Sequence, residues 1–195
     1  MKKLILASAS PRRFELLSKY DFELEVVTSD ITEKINGNEQ PQIVAMSLAL
    51  QKALDVSNKV TDSDIIIAAD TIVYNGQILG KPKNKEHAYE MLKSLSGKEH
   101  SVFTGIAVLQ KGTVLKIVDY QKTIVEFKNL SDRTIENYLN KREYIDKAGS
   151  YAIQGLSAAF IKNINGSYSN VVGLPISKLD DILRQYFDFE LLNAY

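Results

Sequence analysis

Arg12 and Arg13 stand side by side directly behind Pro11 and the four small residues Ala7, Ser8, Ala9 and Ser10. Proline favours the first position of a helix, so both guanidinium groups fall in a first turn. Unpaired N–H groups and the macrodipole already make that end positive. Like charge placed there is unfavourable until an anion arrives, so the stretch predicts an anion site that small residues leave open to close backbone approach. Asp70 follows the wholly apolar run 65–69, Lys81 sits between Gly80 and Pro82, and Lys52 falls in the later turns of a long helical segment. A carboxylate at the end of a central strand lies where α/β sheets bind ligands, and it reads equally as a turn cap. Lys81 reads as the solvated end of a hairpin or as a cation folded back toward Asp70. Lys52 reads as a solvated helix position or a phosphate contact. Glu33, in a polar loop, is either solvated or a second oxygen ligand. If these groups converge, the chemistry they suit is phosphoryl transfer or hydrolysis: cations hold phosphates, while a carboxylate binds a divalent metal or activates water. GxxxxGK[ST] does not occur, which excludes a P-loop. His87 and His100 lack metal-ligand spacing and read as structural or surface residues. Tyr144, Tyr151 and Tyr168 read as core or rim.

Elements must position these groups. Leu4–Ser8 reads as a buried strand, and Pro11 opens a helix ending near Tyr20 with Phe14, Leu17 and Tyr20 on one side. FELEVVT (22–28) alternates as a strand, and Pro41 opens a helix through Ser57. After the apolar strand and Asp70, a hairpin turns at Asn75-Gly76. A helix capped by Asn84 stops at Gly97. The β-branched stretch 100–127, turning at Lys111-Gly112, reads as a long antiparallel pair. A helix capped by Ser131 follows, then an irregular segment 144–155, a strand and turn, and a closing helix with Pro175 near its start. Early alternation followed by antiparallel hairpins predicts a mixed α/β sheet with helices packed on it.

Composition narrows the function. The chain has 195 residues, of which 24 are basic and 24 acidic. That length suits one domain, 1–195, and the charge balance argues against a nucleic-acid polymer as partner and for a small ligand held locally. Cysteine is absent, which excludes a disulfide frame and a thiolate nucleophile and fits a reducing compartment. The opening MKKLILASAS imitates a signal peptide, but its apolar part is too short and Pro11-Arg12-Arg13 follows at once. The expectation is a cytoplasmic protein without a membrane span.

Taken together, LASASPRRFELL, AADTIV, ILGKP, HSVFTGIAV, DKAGSYAIQG and SNVVGLPI resemble the Maf family of nucleoside triphosphate pyrophosphatases, in order and at family-like spacing from Leu6 to about Ile176. The resemblance implies a two-lobed mixed α/β sheet flanked by helices around a central cleft, the fold shared with the inosine-triphosphate pyrophosphatases. It implies hydrolysis between the α and β phosphates with a divalent cation, Mg²⁺ or Mn²⁺, in a cytoplasmic protein that is usually a homodimer. Carried over by motif, Asp70 is the proton acceptor and, with Glu33, a metal ligand. Ser8, Arg12, Arg13, Lys52 and Lys81 match positions for phosphate or metal contact. Arg12, Thr71 and Gln154 match positions that set nucleotide choice. The branch acting on dTTP and UTP has Thr after the catalytic Asp and Gln before Gly, as here. The branch acting on 7-methyl-GTP tends to show Asp-Gln and Glu-Gly. One departure is Glu143-Tyr144, where the family often has Glu-Pro or Glu-Trp. The rival reading is a nucleotide-binding regulator of septum formation, which would not need Asp70.

Overall fold

The computed structural model describes residues 3–32, 39–61 and 64–192. Its elements are β1 (Leu4–Leu6), α1 (Pro11–Leu17), β2 (Leu24–Val26), α2 (Pro41–Ser57), β3 (Ile65–Tyr74), β4 (Ile78–Leu79), α3 (Lys85–Leu95), β5 (Glu99–Gln110), β6 (Lys116–Phe127), α4 (Asp132–Asn140), β7 (Ile161–Asn165), α5 (Tyr168–Val172) and α6 (Ile176–Phe187), with short 3-10 turns at Ala148–Ser150 and Leu156–Phe160. Two helix starts are capped as their sequences dictate: Asn84 accepts from the His87 amide at 2.8 Å, and Ser131 from the Thr134 amide at 3.1 Å. No helix among the described residues is long and apolar enough to cross a membrane.

Seven strands form one mixed sheet in the order β2-β1-β3-β5-β6-β7, with β4 also on β3. β1 lies parallel between β2 and β3, and the β3, β5, β6 and β7 ladders are antiparallel. Strands buried on both faces lose polar alternation, which is why Leu4–Leu6 and Ile65–Ala69 read as unbroken apolar runs. Ile5, Ile66, Ala68 and Ala107 pack under Ala49, Ala53 and Val56 of α2. Leu4, Leu6, Ile67 and Ile106 pack on the other face with Leu17 of α1 and Leu179 and Leu183 of α6. Beyond Val73 and Val102 a further core gathers Leu92 and Leu95 of α3, Ile135 and Leu139 of α4, and Phe127.

Several boundaries differ from the sequence expectation. β3 does not end at Asp70 but continues to Tyr74, because β5 offers an unbroken antiparallel partner from Ile65↔Gln110 to Tyr74↔Ser101. That ladder outweighs the turn preference of an aspartate. α1 stops at Leu17 rather than near Tyr20, the Tyr20 amide folding back to the Leu17 carbonyl at 3.1 Å. β2 keeps three residues of its alternating stretch. The five-residue α5 is too short to show a helical period.

His100 belongs to the core: its Nε2 lies 2.7 Å from the Tyr151 hydroxyl, and its ring meets Phe127 edge-on at 4.9 Å. Burial lowers the imidazole from 6.5 to about 4. A group depressed in the folded state stabilises fully above its unfolded value and loses that contribution as pH falls toward the folded one. At about 1.4 kcal/mol per unit, wild type should lose about 2 kcal/mol more than His100→Gln between pH 7.5 and 5. Urea unfolding at the two pH values measures this, and equal losses would remove His100 as the cause.

Candidate active site

β1 accompanies β3 only as far as Ile67, and β4 takes up the same edge at Val73. Between them Ala68–Ile72 keep β5 on one side and have no strand on the other among the described residues. The chain leaving β1 turns away here: the Ala7 amide makes a last bond to the Ile67 carbonyl at 2.8 Å, and Ser8–Ser10 lead into α1. The gap therefore opens at the carboxyl end of a parallel strand, where α/β sheets hold ligands. Asp70 and Thr71 sit in its middle.

Consecutive strand residues face opposite sides. Asp70 shares the α2 side with Ala68 and Ile72. Directly opposite it on β5 stands Gly105, where a Cβ would overlap the carbonyl of Ala45, so the glycine lets the α2 backbone lie against the sheet. Lys52 follows Ala45 by seven residues, two helical turns, and thus shares its face. Helical side chains lean toward the N-terminus, which brings the Lys52 ammonium back to the Asp70 carboxylate as an ion pair with side chains 17% and 14% exposed. Lys52, which reads from sequence as a solvated helix position or a phosphate contact, is thus paired with the Asp70 carboxylate.

Thr71 faces the other way. Its Oγ1 accepts from Arg13 Nη2 at 3.1 Å and lies 3.0 Å from the hydroxyl of Thr104, its cross-strand partner. Arg13 also donates from Nη1 to Ser8 Oγ at 3.1 Å and from Nε to the Gly173 carbonyl at 2.7 Å. Thr104 extends the chain of bonds to the Asn170 carbonyl at 2.9 Å. The two arginines, expected to act alike, divide their work. Arg13 braces α1 to β3 and to the end of α5, whereas half-buried Arg12 makes no hydrogen bond or ion pair with a described residue.

Arg12 instead lies within electrostatic reach of Lys147. Burial first, and then the Arg12 guanidinium, hold the Lys147 ammonium below its ordinary value, with Glu143 and Asp146 opposing. Lys147 rides on an unusual segment: Arg142, Asp146, Gly149 and Ser150 all have φ of 60–65°. For the three residues other than glycine this conformation costs about 1–3 kcal/mol each and persists only where surroundings impose it. Here the Gly149 amide bonds the Gly80 carbonyl at 3.1 Å, and the Tyr138 hydroxyl bonds the Ser150 carbonyl at 3.1 Å. Because Gly80 precedes Lys81, the exposed Lys81 and the half-buried Lys147 are carried by tied segments. Lys81 lies two residues beyond Leu79, the last residue of β4 paired with β3. Lys147 was not among the residues singled out from sequence; the signal available was its place in Asp-Lys-Ala-Gly.

Gln154 is exposed at the third position of a turn closed by the Gly155 amide to the Ala152 carbonyl at 2.9 Å. Tyr151, just before it, is buried against His100. Glu33 lies outside the described residues. Among those described, no group of three His, Cys, Asp or Glu is arranged to hold a metal ion. Asp70 is a carboxylate on the strand that borders the gap, and a carboxylate with substrate phosphates is an ordinary way to hold Mg²⁺.

The division between the arginines is measurable by thermal and chemical unfolding. Arg13→Ala should cost about 2 kcal/mol, because it leaves Ser8, Thr71 and the Gly173 carbonyl without a charged donor. Arg12→Ala should stay within about 0.5 kcal/mol of wild type. Equal losses would contradict the brace.

Comparison with known proteins agrees with the resemblance drawn from the motifs. The profile of the Maf family, described as Maf-like protein, matches residues 3–186. A dTTP/UTP pyrophosphatase of Alkaliphilus oremlandii is 53% identical over 192 residues, 98% of this chain and 100% of that protein. One from Bacillus cereus is 47% identical over 195 residues, the whole of both chains. Among solved structures, a HAM1 protein from Coxiella burnetii aligns with a TM-score of 0.49 at 16% identity, covering 65% of this chain and 73% of that one. With the family profile spanning nearly every element of the sheet and its helices, the chain belongs to the Maf family.

Proposed function

We propose that this chain hydrolyses nucleoside triphosphates, dTTP and UTP foremost, between the α and β phosphates to give the monophosphate and pyrophosphate. The observation that carries the reading is Asp70, held by Lys52 at the unpaired middle of β3. Arg12 and Lys147 add two cations close enough for one charge to act on the other, and such cations are relieved by an anion bound beside them. A triphosphate entering the gap supplies that anion, with Lys81 and Lys52 as further phosphate partners. Asp70 takes a proton from water as its oxygen adds to phosphorus, the α–β anhydride bond breaks, and pyrophosphate leaves with the bridging oxygen. A divalent cation, carried in on the phosphates with Asp70 and Glu33 as its protein ligands, would neutralise charge there. Ser8 and Thr71 act through Arg13, fixing the turn that presents Arg12. Gln154 reads the base: its amide both donates and accepts, matching the acceptor–donor–acceptor edge of uracil or thymine.

The near-complete coverage of relatives named dTTP/UTP pyrophosphatase supports this substrate choice over 7-methyl-GTP. We also propose that the protein is cytoplasmic, consistent with its lack of cysteine, and works as a homodimer.

The test is a panel of dTTP, UTP, CTP, 7-methyl-GTP and ITP with Mg²⁺ or Mn²⁺ and identification of the products. Pyrophosphate with dTMP or UMP is expected. Release of inorganic phosphate alone, or preference for a purine, would overturn the reading. Asp70→Asn should bind nucleotide but turn over at least about a hundredfold more slowly. Turnover within a few-fold of wild type would assign the proton to another group.

A further inference from the structure

Glu143 lies outside the gap in β3, on the irregular segment after α4, yet its carboxylate is spent on the turn that carries Gln154. One oxygen accepts from the Leu156 amide at 2.9 Å, and the other lies 3.5 Å from Ser157 Oγ. Ser157 in turn accepts from the Ala152 amide at 2.9 Å and donates to the Ala152 carbonyl at 2.8 Å. The Gly155 amide closes onto the same carbonyl. A Cβ on Gly155 would overlap the Glu143 carboxylate, so the carboxylate rests directly on the backbone of the residue after Gln154. Lys147 and Tyr138 also feel its charge. Ile153 is anchored in the core with Leu174 and Val172, while Gln154 itself is exposed and bonded to nothing described. One side of this turn is therefore fixed by packing. The other is fixed by Glu143.

We infer that Glu143 is a positioning residue for base selection: its carboxylate sets the turn Ala152–Ser157 and so aims the Gln154 amide at the base edge. The inference rests on the proposed reading of uracil and thymine by Gln154. A polar group discriminates strongly between ligands only when it is held in register with its partner. An ionised acceptor on a backbone N–H makes a stronger tie than a neutral one. Glu143→Gln keeps an acceptor for Leu156 and the same shape, whereas Glu143→Ala removes both.

The experiment measures kcat and KM for UTP and CTP, which differ in the donor and acceptor pattern of the base edge, in wild type, Glu143→Ala, Glu143→Gln, Gln154→Ala and the double alanine variant. Glu143→Ala should lower the UTP-to-CTP ratio of kcat/KM by roughly tenfold, mostly through KM for UTP. Glu143→Gln should hold that ratio within about threefold of wild type. The double variant should discriminate no worse than Gln154→Ala alone, as expected when one residue acts through the other. A merely structural role would lower Tm and reduce both substrates equally. That result, or additive losses in the double variant, would overturn the inference. If Gln154→Ala keeps the wild-type ratio, Gln154 does not read the base and the inference falls with it. Backbone hydrogen exchange separates the two proposals when wild type lacks UTP hydrolysis altogether. Faster exchange at Leu156 in Glu143→Ala then upholds the control of the turn, and unchanged exchange overturns it.

Discussion

A carboxylate in the middle of a central strand, flanked on its own face by Ala68 and Ile72, is tolerable as an anion only if a cation meets it inside the protein. Lys52 is that cation, and much of the architecture follows from delivering it. The lysine must lean back from α2, which requires the helix to lie flat on the sheet. That requires Gly105 at a position where a side chain would push the helix off. Ala49 and Ala53 keep the rest of the contact shallow. The ion pair is thus held by small residues at a distance from it.

The sheet separates two tasks. On the α2 side Asp70 and Lys52 form a charged pair; on the other side Thr71, Ser8 and the Gly173 carbonyl hold Arg13. Adjacent residues of one strand therefore serve different neighbours, and both sides meet at the edge that β1 and β4 leave open. Rigidity on the arginine side has a counterpart in the 142–150 segment, where left-handed backbone is imposed by bonds to Gly80 and Tyr138. Arg12 and Lys147 are consequently carried on two braced supports, the preorganisation that the proposed anion site needs.

Much of this was legible in sequence for physical reasons that can be named. Caps at Asn84 and Ser131, the apolar runs of β1 and β3 and the β-branched hairpin of β5 and β6 are local signals, and the structure follows them. Arg12 and Arg13 suggest an anion site because charge opposes the helix end, but their different partners were hidden: those of Arg13 come from β3 and the turn after α5. The continuation of β3 through Asp70 was hidden for the same reason, since the ladder with β5 decides it. Lys147 and Glu143 gave no periodic or compositional signal. Their roles depend on backbone conformations that non-glycine residues rarely adopt and on a turn packed against another part of the chain.

The bond from Arg13 Nε to the Gly173 carbonyl joins residues 160 positions apart. During synthesis α1 emerges early, and β1 must then wait for β3 to pair with it. The last partner of the brace appears only when α5 has been made. Closing so long a loop is entropically late, because nothing rewards it until the sheet beneath has formed. The nascent chain therefore carries a pair of arginines whose final arrangement is set near the end of translation. On the proposed function, nucleotide binding becomes a property of the finished chain, and a polypeptide released before Gly173 would carry the arginines without the bond that fixes Arg13.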